Sequence, residues 1–121
     1  MAALNTAKNP LVVAHAKRIK LTGTAQTAVL TAIARKTGLY ALNCGAAVSN
    51  AATDVTLSAS WTDPDAGAST YTWVNTVSEA VGSYPQNTVL VTAKGGSTIT
   101  INATAGTANN VVVGATIEEK A

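Results

Sequence analysis

The residues that most constrain this chain run from Thr37 to Asp63, TGLYALNCGAAVSNAATDVTLSASWTD. Their side chains alternate. One set is Leu39, Ala41, Asn43, Gly45 and Ala47, and the other is Tyr40, Leu42, Cys44, Ala46 and Val48. After a break at Ser49–Asn50 the alternation resumes, with Val55, Leu57, Ala59 and Trp61 set against Thr56, Ser58, Ser60 and Thr62. Successive side chains of a strand point to opposite faces, so a period of two over runs this long specifies half-buried antiparallel strands. Taken alone, the stretch describes a β-meander.

The same reading extends along the chain. Candidate strands fall at 12–22, 27–35, 38–49, 54–62, 69–76, 87–94, 97–104 and 110–118. Turn signals separate them: Thr22–Gly23, Lys36–Gly38, Ser49–Asn50, Asp63–Gly67, Gly82–Pro85, Lys94–Gly96 (read as a hairpin turn) and Gly106–Asn110. Thr and Val enrichment supports strands. The one helical competitor, TAQTAVLTAIARK, is Ala-rich but short, lacks a clean helical period and lies between two strands. Eight short strands at regular spacing predict an all-β fold: a single-domain antiparallel β-sandwich, eight being the strand number of a jelly roll. Residues 1–10, small and polar and ending in Asn9–Pro10, read as an extended N-terminal arm, which leaves 11–121 for the sandwich.

A chain of 121 residues suits one domain. Phe is absent and there are only two Trp and three Tyr, so Ala, Val and Leu must fill the core. Charged residues are 12% of the chain, about half the usual fraction. So bland a surface predicts cover by partner chains, as in a homotrimer. The net charge of +2 hides an asymmetry: residues 1–40 carry six Lys or Arg and no acid, whereas residues 41–121 carry two Lys and six acids. Such charges either meet across the fold or leave a basic end for an acidic partner. Lys8, Lys17, Arg18 and Lys20 are the candidates for the second role.

Catalytic chemistry finds little material. Cys44 is the only cysteine, which excludes an intrachain disulfide, and its apolar alternating strand predicts a buried, inert thiol. His15 is the only histidine, and no nucleophile-elbow or Cys/His metal spacing accompanies it. Asp63-Pro-Asp-Ala-Gly67 reads as a turn in which Asp63 accepts backbone N–H bonds, since a calcium site needs about six to eight oxygens. The basic residues are not interleaved with aromatics, which argues against nucleic acid. No run has the length of a membrane helix, and the first ten residues lack a signal-peptide core, so synthesis in a reducing cytoplasm is expected. The chain predicts no catalytic residue, no metal, no cofactor and no small-molecule substrate.

TGLYALNCGAAVSNAATDVTLSASWTD, the strand holding Tyr71 and Trp73, and VLVTAKGGSTITINATA together resemble a pattern found in small virion proteins of tailed phages. There a GLY-type strand leads to a strand ending in WTD, and a later strand ends at a K-G turn followed by Ile. The matching positions are Gly38, Leu39, Tyr40, Trp61, Thr62, Asp63, Lys94, Gly95 and Ile99, within residues 37–104. Two positions depart from the pattern: Ala41 stands where an arginine is usual, and the last strand ends in charged EEKA. The resemblance implies a jelly-roll or related β-sandwich, often trimeric. It further implies a virion structural protein made in the bacterial host, most directly a decoration (cement) protein on the major capsid protein. The alternative is a receptor- or carbohydrate-binding module of a tail or fibre. Tyr40, Trp61, Tyr71 and Trp73 are expected as core or interface aromatics, with Trp61, Tyr71 and Trp73 as the sugar-stacking platform of the alternative.

Overall fold

Each alternating run becomes a strand in the computed structural model, which describes residues 11–120. The strands are β1 (Leu11–Lys20), β2 (Thr27–Ile33), β3 (Gly38–Val48), β4 (Thr53–Asp63), β5 (Gly67–Glu79), β6 (Gln86–Ala93), β7 (Thr98–Ala105) and β8 (Val111–Glu119). The expected arm at residues 1–10 lies outside the described residues. The helical competitor is β2, where pairing with β7 (Leu30 opposite Ile101, Ala32 opposite Ile99) overrides the helix propensity of its alanines. β5 outruns the expected 69–76 because its ladder with β4 continues through two register shifts to the pair Thr53 and Glu79.

Sheet A has the order β1-β8-β3-β6 and sheet B the order β2-β7-β4-β5. Only β4 and β5 are neighbours both in sequence and in a sheet. Every other connection crosses between sheets, and this interleaving is that of a jelly roll. Two local expectations are thereby corrected. β3 and β4 are not a meander, since the Ser49–Asn50 turn carries the chain from sheet A to sheet B; the Lys94–Gly96 turn likewise links β6 in sheet A to β7 in sheet B. A turn signal records that a chain reverses, and leaves open which sheet receives it.

The core lies between the facing alternate residues. Tyr40, Leu42, Cys44, Ala46 and Val48 of β3 and Val111, Val113 and Ile117 of β8 meet Val55, Leu57 and Ala59 of β4 and Ile99 and Ile101 of β7, all buried. Tyr40 is the largest fully buried side chain. Its ring fills the core, and its hydroxyl donates to the Lys36 carbonyl at 2.6 Å and accepts from the Lys36 N–H at 3.2 Å. One side chain thus closes the β2–β3 turn and anchors it.

The same end holds a charged clamp. Glu119 occupies a core-facing position of β8, opposite Tyr40 in the β3 ladder, with only 6% of its side chain exposed. Arg35 covers it bidentately, Nε to Oε1 at 3.2 Å and Nη2 to Oε2 at 2.7 Å, and Lys36 Nζ lies 3.5 Å from Oε2. Two of the basic residues of the first forty therefore meet an acid of the C-terminal strand across the fold. Hydrogen bonding from Arg35, reinforced by the charges of Arg35 and Lys36, holds the Glu119 carboxyl below the usual glutamate range against an opposing effect of burial.

Two outcomes are expected. Tyr40→Phe removes both hydroxyl bonds without changing ring volume, and should cost about 1–3 kcal/mol in urea unfolding with an unchanged m-value. Glu119 is depressed in the folded state, so its contribution is full above its ordinary value of 4.5 and is lost as pH falls through the lower folded value. Below pH 4.5 the wild-type melting temperature should therefore fall more steeply than that of Glu119→Gln, and the gap between the two should close in acid.

Candidate functional site

The residues expected to act sit on two separate surfaces, and the structure adds a third. The first is the β1 edge of sheet A. Arg18 and Lys20 are exposed there; Lys8 and the side chain of Lys17 lie outside the described residues. β1 meets β8 with two register shifts, between Val12 and Ala14 and between Ala16 and Ile19. Arg18 sits in the second shift at φ 124°, a backbone conformation that side-chain-bearing residues rarely adopt. The shift breaks the straight ladder and leaves Arg18 on an irregular, exposed edge.

The second surface is an aromatic patch, or mouth, formed by Trp61 of β4 with Tyr71 and Trp73 of the edge strand β5. Trp61 and Trp73 are partly buried and packed against the core, and Tyr71 is 46% exposed. Tyr71 and Trp73 touch edge to face, with ring centroids 6.4 Å apart and an interplanar angle of 87°. Both indole Nε1 atoms are buried without an acceptor. The shift between Leu57 and Ser58 in the β4–β5 ladder leaves Trp73 without an opposing residue, which explains how it enters the mouth beside Tyr71. Of the expected platform only Tyr71 offers broad exposure, and Tyr40 is fully enclosed in the core.

The third surface is a groove of about 510 Å³ on the outer face of sheet A, which the sequence reading missed. Asn43, Gln86, Asn87, Thr88 and Thr116 line it, with Gly114 in its floor. Asn43 bridges neighbouring strands: it accepts from Thr88 Oγ1 at 2.6 Å and donates to Thr116 Oγ1 at 2.7 Å. The only advance signal was that these residues occupy outward positions of their strands. Assembling them required the register.

The remaining reactive groups are committed elsewhere. Burial pushes the Cys44 thiol up to about 12, so it is no nucleophile at neutral pH. Asp63 accepts from the N–H groups of Ala66 at 2.9 Å and Asp65 at 2.8 Å, which lowers its pKa and fixes the turn its sequence predicted. His15 is exposed on β1, opposite Thr116. Among the described residues no three His, Cys, Asp or Glu side chains group as metal ligands, and no helix is long and apolar enough to cross a membrane.

No protein-family model and no curated protein matches this sequence. Solved structures match its fold. The globular domain of the zebrafish complement 1qA protein is 12% identical over 91% of this chain and 93% of its own, with a TM-score of 0.53. The CBM22-1–GH10 modules of Clostridium thermocellum endo-1,4-β-D-xylanase 10B, solved with xylohexaose, are 11% identical with a TM-score of 0.52. That match covers 93% of this chain but only 29% of the xylanase chain. At such identities the shared feature is the β-sandwich itself.

The aromatic mouth supplies a test of its own. Trp61 braces the core, so Trp61→Ala should cost about 3–5 kcal/mol. Tyr71→Ala should cost less than about 1 kcal/mol. Urea unfolding of the two variants measures both.

Proposed function

We propose that this chain is a non-catalytic structural protein of a tailed-phage virion, a decoration protein that binds the outer surface of the major capsid protein as a homotrimer. The observation carrying this reading is that four of the nine positions of the phage resemblance, Tyr40, Thr62, Lys94 and Gly95, are tied into neighbouring turns by hydrogen bonds. Tyr40 holds the Lys36 backbone, Gly95 N–H donates to Thr37 Oγ1 at 2.9 Å, and Lys94 N–H donates to the Thr62 carbonyl at 2.8 Å. A Cβ on Gly95 would lie 2.8 Å from the Thr37 nitrogen, so that turn requires glycine. These bonds tie together the β2–β3 turn, the end of β4 and the β6–β7 turn, which lie far apart in sequence.

The committed states of Cys44, Asp63 and Glu119 support a role without catalysis. A protein that binds only the assembled shell stabilises it by mass action. A closed trimer would cover part of the weakly charged surface, and Arg18 and Lys20 on the β1 edge offer cations to an acidic shell. A second reading, saccharide recognition, is favoured by the uncharged groove on sheet A rather than by the aromatic mouth.

Purified particles should contain the chain at a copy number comparable to that of the major capsid protein, and native mass spectrometry of the free protein should give a trimer. Binding to shells stripped of the chain should weaken as salt rises, because exposed charge contacts are screened over about 8–10 Å. Arg18→Gly should weaken shell binding while raising thermal stability, since it relieves backbone strain of about 1–3 kcal/mol. A handful of copies per particle would move the protein to the tail, and a monomer both free and bound would remove the trimer.

A further inference from the structure

We infer that the groove on the outer face of sheet A binds a neutral saccharide, with Asn43, Thr88 and Thr116 as its polar wall and Gly114 as its open floor. The inference rests on the saccharide reading above and is independent of the particle reading.

β3 is paired on both sides, so Asn43 stands opposite Thr116 of β8 and opposite Thr88 of β6. β1 extends the row by setting His15 opposite Thr116. The hydrogen bonds Thr88 to Asn43 and Asn43 to Thr116 run in one direction across three strands and fix the Asn43 amide. They leave the Thr116 O–H, a second Asn43 N–H and lone pairs on Thr88 unused. A sugar hydroxyl both donates and accepts, and it meets both kinds of group here.

The next row carries two glycines. Gly45 and Gly114 face each other across β3 and β8, with Gln86 opposite Gly45 on the other side. Gly45 has a structural cause: a Cβ there would lie 2.7 Å from Tyr84 Oη and 2.8 Å from two of its ring carbons. Gly114 has none. Its φ is not positive, and a Cβ would meet only the Ala16 carbonyl oxygen at 3.7 Å, ordinary contact. Glycine inside a strand weakens it, and its usual justification is the close approach of another group. Gly114 lies opposite the Ala16–Ile19 shift of β1, and among the described residues no group closes over it, so the space is open to a ligand.

Chemistry narrows the class. The groove's volume of about 510 Å³ is that of a small-ligand site. Its lining among the described residues is amide, hydroxyl, glycine and alanine, together with Cys44, whose thiol stays protonated. None of these would balance a ligand charge, and the exposed His15 and Arg18 of β1 stand beside the groove rather than in its lining. Tyr84, 53% exposed, places its phenol end over Gly45, beside the groove.

The test is NMR titration of ¹⁵N-labelled full-length protein with cello-, xylo- and manno-oligosaccharides, with an oligogalacturonate as the charged control. Saturable shifts are expected at Asn43, Thr88, Gly114 and Thr116 with a neutral oligosaccharide. Thr116→Val should weaken binding about tenfold, and Gly114→Val, which fills the floor, should abolish it without loss of fold. If Gly114→Val does not fold, Gly114→Ala, whose Cβ fits, should still weaken binding. Retained affinity in the folded floor variants, or shifts centred on Tyr71 and Trp73, would overturn the site while leaving saccharide recognition standing. Preference for the oligogalacturonate at the groove would overturn neutrality alone. No saturable shift with any sugar would remove the saccharide reading itself.

Discussion

The registration of β3 governs the rest of this molecule. β3 is hydrogen-bonded on both sides, to β6 from Gly38 to Gly45 and to β8 from Tyr40 to Val48. A slip of one residue would turn Tyr40, Leu42, Cys44, Ala46 and Val48 outward and send Asn43 into the core, where its amide would lose its threonine partners. Tyr40 guards against that slip. Its ring reads the buried face and its hydroxyl reads the preceding turn, so the two requirements are met together only in one register.

From that strand the two faces divide the work. The inward set of β3 builds a core of small side chains, capped at one end by Glu119 under Arg35 and Lys36. The outward set supplies Asn43, the centre of the polar row, and Gly45, which makes room for Tyr84. The few charges are placed with the same economy. Arg35, Lys36 and Glu119 hold the fold, Asp63 holds a turn, and Arg18 and Lys20 are left to solvent on an irregular edge.

The strands were legible because side-chain alternation is local: every residue of β3 and β4 declares its face by its neighbours two away. The sheet assignment was hidden, since Ser49–Asn50 and Lys94–Gly96 would serve a hairpin as well as a crossing between sheets. The aromatic readings were half visible. Trp61 followed from the face of β4, whereas Trp73 depends on a register shift that no residue pattern announces. The groove was invisible for a different reason. Asn43, Thr88 and Thr116 are far apart in sequence and each looks like an ordinary outward polar residue. Only the two ladders of β3 bring them into one row.

The irregular ladders have a further consequence. A sandwich with 12% charged residues has little electrostatic repulsion to keep its sheet edges from pairing with other chains. Three of its four edge strands carry register shifts: β1 against β8, β2 against β7 and β5 against β4. Each shift kinks the row of free N–H and C=O groups that a foreign strand would need. β6 alone keeps an unbroken ladder, with the exposed Leu90 at its centre. Strand addition to this fold, whether in ordered assembly or in aggregation, has one straight edge to use.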